Sequence, residues 1–142
     1  MANDSEISML TRIRSYEMKA AATFDQVIPT ENSHVRAVWD LVGIRNDHNQ
    51  AVGKLDHVIR DLGGVPGMNS NVQWPDVPSL KNKSIENNQD TLKSLMQGEL
   101  SVIHECEKAV RSGNLSPLSK TLVNSEILPV LQNHVEILRQ YL

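Results

Sequence analysis

One cysteine, Cys106, is too few for an internal disulfide, and no Cys-x-x-Cys pair is present to bind zinc or exchange dithiols. Nor does one sign of charge dominate. The net charge is −3 and the lysines and arginines are scattered, so no electrostatic footprint for DNA or RNA exists and nucleic acid is not an expected partner. No apolar run is long enough to span a membrane. Met1 to Ser8 lacks the basic start and apolar stretch of a signal peptide, so the cytoplasm is the expected location. No stretch shows the β-branched alternation of a strand. A phosphate-binding loop, a nucleophile elbow and a zinc-protease pattern are also missing, which sets aside the enzyme classes they mark.

What is present is a globular composition, 39% hydrophobic and 22% charged over 142 residues, close to the average for folded domains. A chain of this size buries roughly 68–70% of its unfolded surface, so one core suffices and residues 1–142 are read as a single domain. Helical periodicity dominates. The first helix is predicted from Ser5 to Ile28, with Pro29 after its end and an inner stripe of Leu10, Ile13, Glu17, Ala20, Phe24 and Val27. The second, Ser33 to Leu62, has the stripe Val38, Leu41, Arg45, His48, Val52, Leu55, Ile59 and Leu62 and stops at Gly63-Gly64. The third, Ser84 to Ser112, carries Leu92, Leu95, Glu99, Val102, Cys106 and Ala109 before Gly113. Ser116-Pro117 then reads as a cap and first helical residue, opening a fourth helix to Tyr141 with the stripe Val123, Ile127, Leu131, His134 and Leu138 and an irregularity at Pro129.

The connections set the expected topology. Helices one and two, and helices three and four, are joined by short links and should form antiparallel hairpins. Between the hairpins runs Gly63 to Lys83, rich in Gly, Pro, Asn and Ser. Extended, it could reach ~65 Å, against ~45 Å for the second helix, so it is long enough to cross the whole bundle. The expected fold is an all-α, antiparallel four-helix bundle with a long crossover between helices two and three, Trp74-Pro75 lying against its wall. A loose surface loop in a simple up-down bundle is the plainer alternative.

Polar residues interrupt every stripe. Glu17 and His48 belong to the first hairpin, Glu99 and His134 to the second, at comparable positions, as in a weak internal duplication. A carboxylate in an apolar seam is costly unless it is paired, hydrogen-bonded or bound to metal. Two Glu and two His from four helices are suitable ligands for iron, manganese or zinc.

The run Arg45 to Leu55, continuing to Leu62-Gly63-Gly64-Val65-Pro66, resembles the second helix of ferritins and bacterioferritins. It is closer still to small bacterial ferritin-like proteins that keep the bundle and lack the full ligand set. The resemblance covers nearly the whole chain by helix layout, with its specific wording confined to residues 45 to 66. It implies that Glu17 and Glu99 stand where the first- and third-helix glutamates of the di-iron members stand, and His48 and His134 where the histidines stand. Arg45 and Leu131 occupy the positions of the two remaining glutamates.

Two readings follow. In the first, the di-metal centre is lost, Arg45 pairs with Glu17 in its place, no cofactor is needed, and the bundle is a non-catalytic structural or interaction protein, able to form a homo-oligomer through helix faces. In the second, Glu17, His48, Glu99 and His134, or a mononuclear subset of Glu99, His134 and His48, bind iron or manganese for iron handling or oxidative-stress defence. Cys106 is expected to pack as a small buried hydrophobe, and His34, His57 and His104 to be solvated. Tyr16 and Tyr141 are read as packing residues, Glu105 and Glu107 as helix surface, and Trp39 as closing the edge of the core.

Overall fold

The computed structural model describes residues 3–29, 36–68, 70–80 and 84–142. All regular structure among them is helical. α1 (Asn3–Val27) is followed by α2 (Arg36–Asp61), a 3-10 turn (Ile85–Asn87) and α3 (Gln89–Arg111). α4 (Pro117–Thr121) passes directly into a π-helical segment (Leu122–Ile127) and then α5 (Leu128–Arg139), so the last three pieces form one rod and the described residues build four rods. No helix among the described residues is long and apolar enough to cross a membrane. The expected start of the second helix at Ser33, the solvated His34 and the end of the connecting segment at Lys83 lie outside the described residues.

The sequence signals act where helical physics places them. Gly63 and Gly113 have φ of 88° and 76°, a left-handed conformation that ends a helix cheaply only where no Cβ is present. Ser116 is extended and Pro117 is the first helical residue, where a missing N–H costs nothing. Pro129 has the opposite effect. Its ring would crowd the carbonyl of Ser125 in a regular helix. The turn just before it is widened to the π form, with the Leu128 N–H bonded back to the Val123 carbonyl.

Four stripes make the core. Leu10, Ile13, Phe24, Leu55, Leu92, Leu95, Val102, Cys106, Val123 and Leu138 are each at most 1% exposed, and each large side chain so buried contributes about 1.5–3 kcal/mol. The apolar side chains form two clusters, one around Leu10, Ile13, Leu55, Val102 and Leu131 and the other around Phe24, Leu41, Ile44, Leu92 and Leu138. Between them lie the polar seam residues. Cys106 is fully buried, as expected, and burial pushes its thiol well above the usual range.

One stripe differs from its sequence reading. On α2 the buried residues include Ile44, His48, Ala51, Leu55 and Val58, whereas Arg45 and Val52 are only half-buried. Neighbouring residues differ by about 100° around a helix, so the inner face is set one position earlier on either side of His48. Trp39 also departs from expectation: it is 61% exposed and does not close the edge of the core.

The segment after α2 is tied to two rods. The Ser70 N–H donates to Ser15 Oγ (2.8 Å), and Lys19 Nζ donates to the Val72 carbonyl (3.0 Å), both against α1. Farther on, the Trp74 indole lies on Gly98 of α3, and Thr91 Oγ1 donates to the Pro78 carbonyl (2.7 Å). A Cβ on Gly98 would overlap the indole ring.

Candidate metal centre

Glu17 sits on α1, His48 on α2, Glu99 on α3 and His134 on α5, and all four side chains are at most 1% exposed. Each is held in the seam by apolar residues one turn away: Ile13 and Ala20 flank Glu17, Ile44 and Ala51 flank His48, Leu95 and Val102 flank Glu99, and Leu131 and Leu138 flank His134. The four meet in one network. His48 Nδ1 lies 3.0 Å from Glu17 Oε2, and its Nε2 lies 2.6 Å from Glu99 Oε1. His134 Nδ1 lies 3.4 Å from Glu99 Oε2. Edge-on contact between the two imidazoles, centroids 4.9 Å apart, completes the cluster, with Phe24 against His48.

A fifth member was not anticipated. Asp47 Oδ2 lies 2.9 Å from His134 Nε2, reaching across from α2. It directly precedes His48, so a strict inner stripe excludes it. Its side chain is 41% exposed, long enough to turn from the flank of the helix toward the seam. The only signal in the sequence was adjacency to a seam histidine.

Arg45 is not a member. Its guanidinium donates to Asp25 Oδ1 (2.9 Å) and to the Asn46 amide oxygen on the outer side of the α1–α2 pair. The expected Arg45–Glu17 pair does not form, because the α2 phase that turns His48 inward carries Arg45 toward solvent. The Glu17 carboxylate meets His48 in its stead. Leu131 is buried and apolar where the resemblance placed a carboxylate. His57 and His104 are exposed, as expected. Tyr16 packs beneath the Arg12 guanidinium, 5.7 Å from its ring centre, and the Tyr141 hydroxyl donates to Asp40.

Electrostatics follow from burial and proximity. Burial pulls the His48 pKa down, but Glu99 and Glu17 on either side outweigh it and hold the ring well above its ordinary value, so it is an imidazolium. Burial likewise pushes Glu99 up, and His48 and His134 outweigh it, keeping a carboxylate. Glu17 goes the other way: burial, only partly offset by His48, raises it toward the neutral acid. One oxygen of this network, Glu17 Oε1, is buried without a hydrogen-bond partner among the described residues.

The cluster has the composition of a ligand set. His48, Glu99 and His134 each offer one donor atom, and the three atoms lie within 4.8 Å of one another. Two imidazoles and a carboxylate suit zinc or non-haem iron and leave coordination positions open. In such sites the second nitrogen of each ligating histidine is usually fixed by a carboxylate or carbonyl. Here Glu17 and Asp47 stand at those nitrogens. The chain matches no family model, no curated protein and no solved structure.

Proposed function

We propose that this protein is a metal-binding four-helix bundle in which His48, Glu99 and His134 hold one divalent first-row transition ion, with Glu17 and Asp47 orienting the two imidazoles. One observation carries the reading: each buried imidazole lies between two carboxylates, one nitrogen turned to the shared Glu99 and the other fixed by its own acid. Iron and manganese are the expected ions, and zinc suits the same donors. Such an ion would supply Lewis acidity or, as iron or manganese, one-electron chemistry. The residues themselves would bind and orient it in a water-poor layer, and His48 would hold it through Nε2 only as the neutral imidazole.

The fold part of the reading is a ferritin-like arrangement. Arg14 with Asp56, Glu17 with His48 and Asp25 with Arg45 support opposed directions for α1 and α2. Glu99 with His134 and Gln89 with Tyr141 do the same for α3 and α5. Asp47 with His134 on α5, and Lys54 with Glu126 on the π-helical segment before it, support this last rod lying against α2 as well. The contacts of Ser70, Val72, Trp74 and Pro78 support a connecting segment that passes from α1 to α3 along the wall. Self-association through helix faces belongs to the same proposal, supported by the exposed Trp39 and by Met18, 41% exposed.

The second reading, a non-catalytic structural bundle without metal, is favoured by the hydrogen bonds that already satisfy His48, Glu99 and His134. Metal analysis separates the two. Protein purified from cells supplied in turn with iron, manganese and zinc should carry close to one ion per chain, lost in His134→Ala. Contents far below one ion per chain in all three preparations would establish the structural reading.

A further inference from the structure

A small cavity of about 40 Å³ lies beside the cluster, between α2 and the π-helical segment. Glu17 and His134 form its inner end, and Ala51 and Leu131 its apolar walls. Lys54 and Glu126, exposed and joined by an ion pair of 3.2 Å, stand at its outer end. The same two residues line a broad surface groove that continues toward Asp61 and Leu118, so groove and cavity meet at that ion pair. The widened turn ahead of Pro129 shapes the wall that carries Glu126 and Ile127.

Two independent features at the inner end point to a ligand. Glu17 lines this space and its Oε1 is buried with no partner among the described residues, a buried acceptor that is costly to leave unsatisfied. His134, a member of the three-donor set, faces the same space. Three protein ligands leave an ion short of its full coordination. A water needs roughly 10–15 Å³ of such space, so the cavity of about 40 Å³ admits about three or four and excludes any organic substrate of ordinary size.

Resting on the metal reading above, we infer that this cavity is the ligand chamber of the centre: it seats a water-sized O–H ligand between Glu17 Oε1 and the open coordination position, exchanging with solvent past Lys54 and Glu126. Water both donates and accepts, so it satisfies Oε1 as acid or as carboxylate. A free anion has no donor to offer Glu17 Oε1 as a carboxylate, and the chamber's volume admits only small molecules. The substrate class that it admits is therefore small O–H compounds of water or hydrogen peroxide size.

The test uses the full chain in two states. In metal-free protein, oxygen-17 magnetic relaxation dispersion of water should show a long-lived internal water that disappears in Ala51→Leu, which fills the chamber from α2. Val130→Phe, at the rim, serves the same purpose should Ala51→Leu not fold. In protein loaded with Mn²⁺, water-proton relaxivity should fall at least two-fold in the filled variant while Mn²⁺ content stays near one per chain. Equal dispersion and equal relaxivity in wild-type and filled protein, with Mn²⁺ bound in both, would overturn the chamber and leave the metal site standing. Failure of wild-type protein to take up Mn²⁺, iron or zinc would overturn the metal site and the coordination half of this inference, and the metal-free measurement would then decide the water seat alone.

Discussion

Glu99 faces both histidines, one oxygen to each, and is the residue on which the layer turns. Glu99→Gln keeps its shape and removes its charge, leaving His48 charged beside a neutral amide. Breaking a buried pair in this way should cost about 3–5 kcal/mol, read from urea unfolding of chelator-treated protein, and should abolish metal uptake. Asp47 is half-exposed, so Asp47→Asn should leave the fold nearly unchanged and weaken metal binding by about 10–100-fold, as loss of a histidine-orienting carboxylate does elsewhere. A pH profile of the metal-free protein carries the same physics. Glu99 is depressed below its ordinary 4.5, so the stability it adds is present above that value and is lost as pH falls toward its folded-state pKa. His48 is raised above 6.5, so its share is complete below that value and is lost as pH rises through its folded-state pKa. Glu17 is raised above 4.5, so its share is likewise complete below that value and lost as pH rises through its folded-state pKa. Thermal stability should therefore be highest near pH 4.5 and decline on either side, while metal affinity should climb with pH because His48 must surrender a proton. A metal affinity indifferent to pH would contradict that displacement. At this scale Glu17, His48, Glu99 and His134 were legible from steps of three and four along their helices. Asp47 was not, because periodicity describes where a Cβ points and not how far a side chain can bend back.

The helices themselves explain why Arg45 was misplaced. A stripe written as Leu41, Arg45, His48, Val52 and one written as Leu41, Ile44, His48, Ala51 share Leu41 and His48 and differ by single steps. Hydrophobicity decides between them poorly when Ala replaces Val, yet the second keeps a guanidinium out of the core, and that is what folds. Arg45→Ala should consequently cost at most about 1 kcal/mol, the worth of an exposed ion pair; a loss several times larger in thermal unfolding would restore a buried role. On α3 the informative substitution is Gly98→Ala. Alanine in a helix interior ordinarily gains about 0.5–1 kcal/mol over glycine, but here its methyl group meets the Trp74 indole, and overpacking costs about 1–3 kcal/mol. Net destabilisation is expected. In a Trp74→Ala background the sign should reverse, a comparison that circular dichroism melts can read directly. The irregularity expected at Pro129 took a form that sequence alone does not specify: a wide turn upstream in place of a kink.

Across the whole molecule, four rods and the ends marked by Gly63, Gly113 and Pro117 were legible because glycine and proline act locally, whereas the third rod opens at Gln89 after a 3-10 turn and not at Ser84. The packing of the connecting segment was less so. Its length advertised reach, and Trp74-Pro75 marked one anchor, but the small hydrogen bonds to Ser15, Lys19 and Thr91 leave no pattern in composition. Metal binding should be visible at this scale too. An ion present at 100 times its dissociation constant adds about 2.7 kcal/mol to folding stability, so the melting temperature should rise on addition of Mn²⁺ or Fe²⁺ and return with a chelator. Unchanged melting at saturating metal would count against the centre. The polar layer that divides the two apolar clusters also restricts how the rods can be seated. Sliding any one of them by a turn, about 5.4 Å, would leave an acid or an imidazole facing hydrocarbon while its former neighbours lost their counterpart. Leucine stripes alone tolerate such slippage; a band of interlocking charges acts as an index mark that only one alignment satisfies.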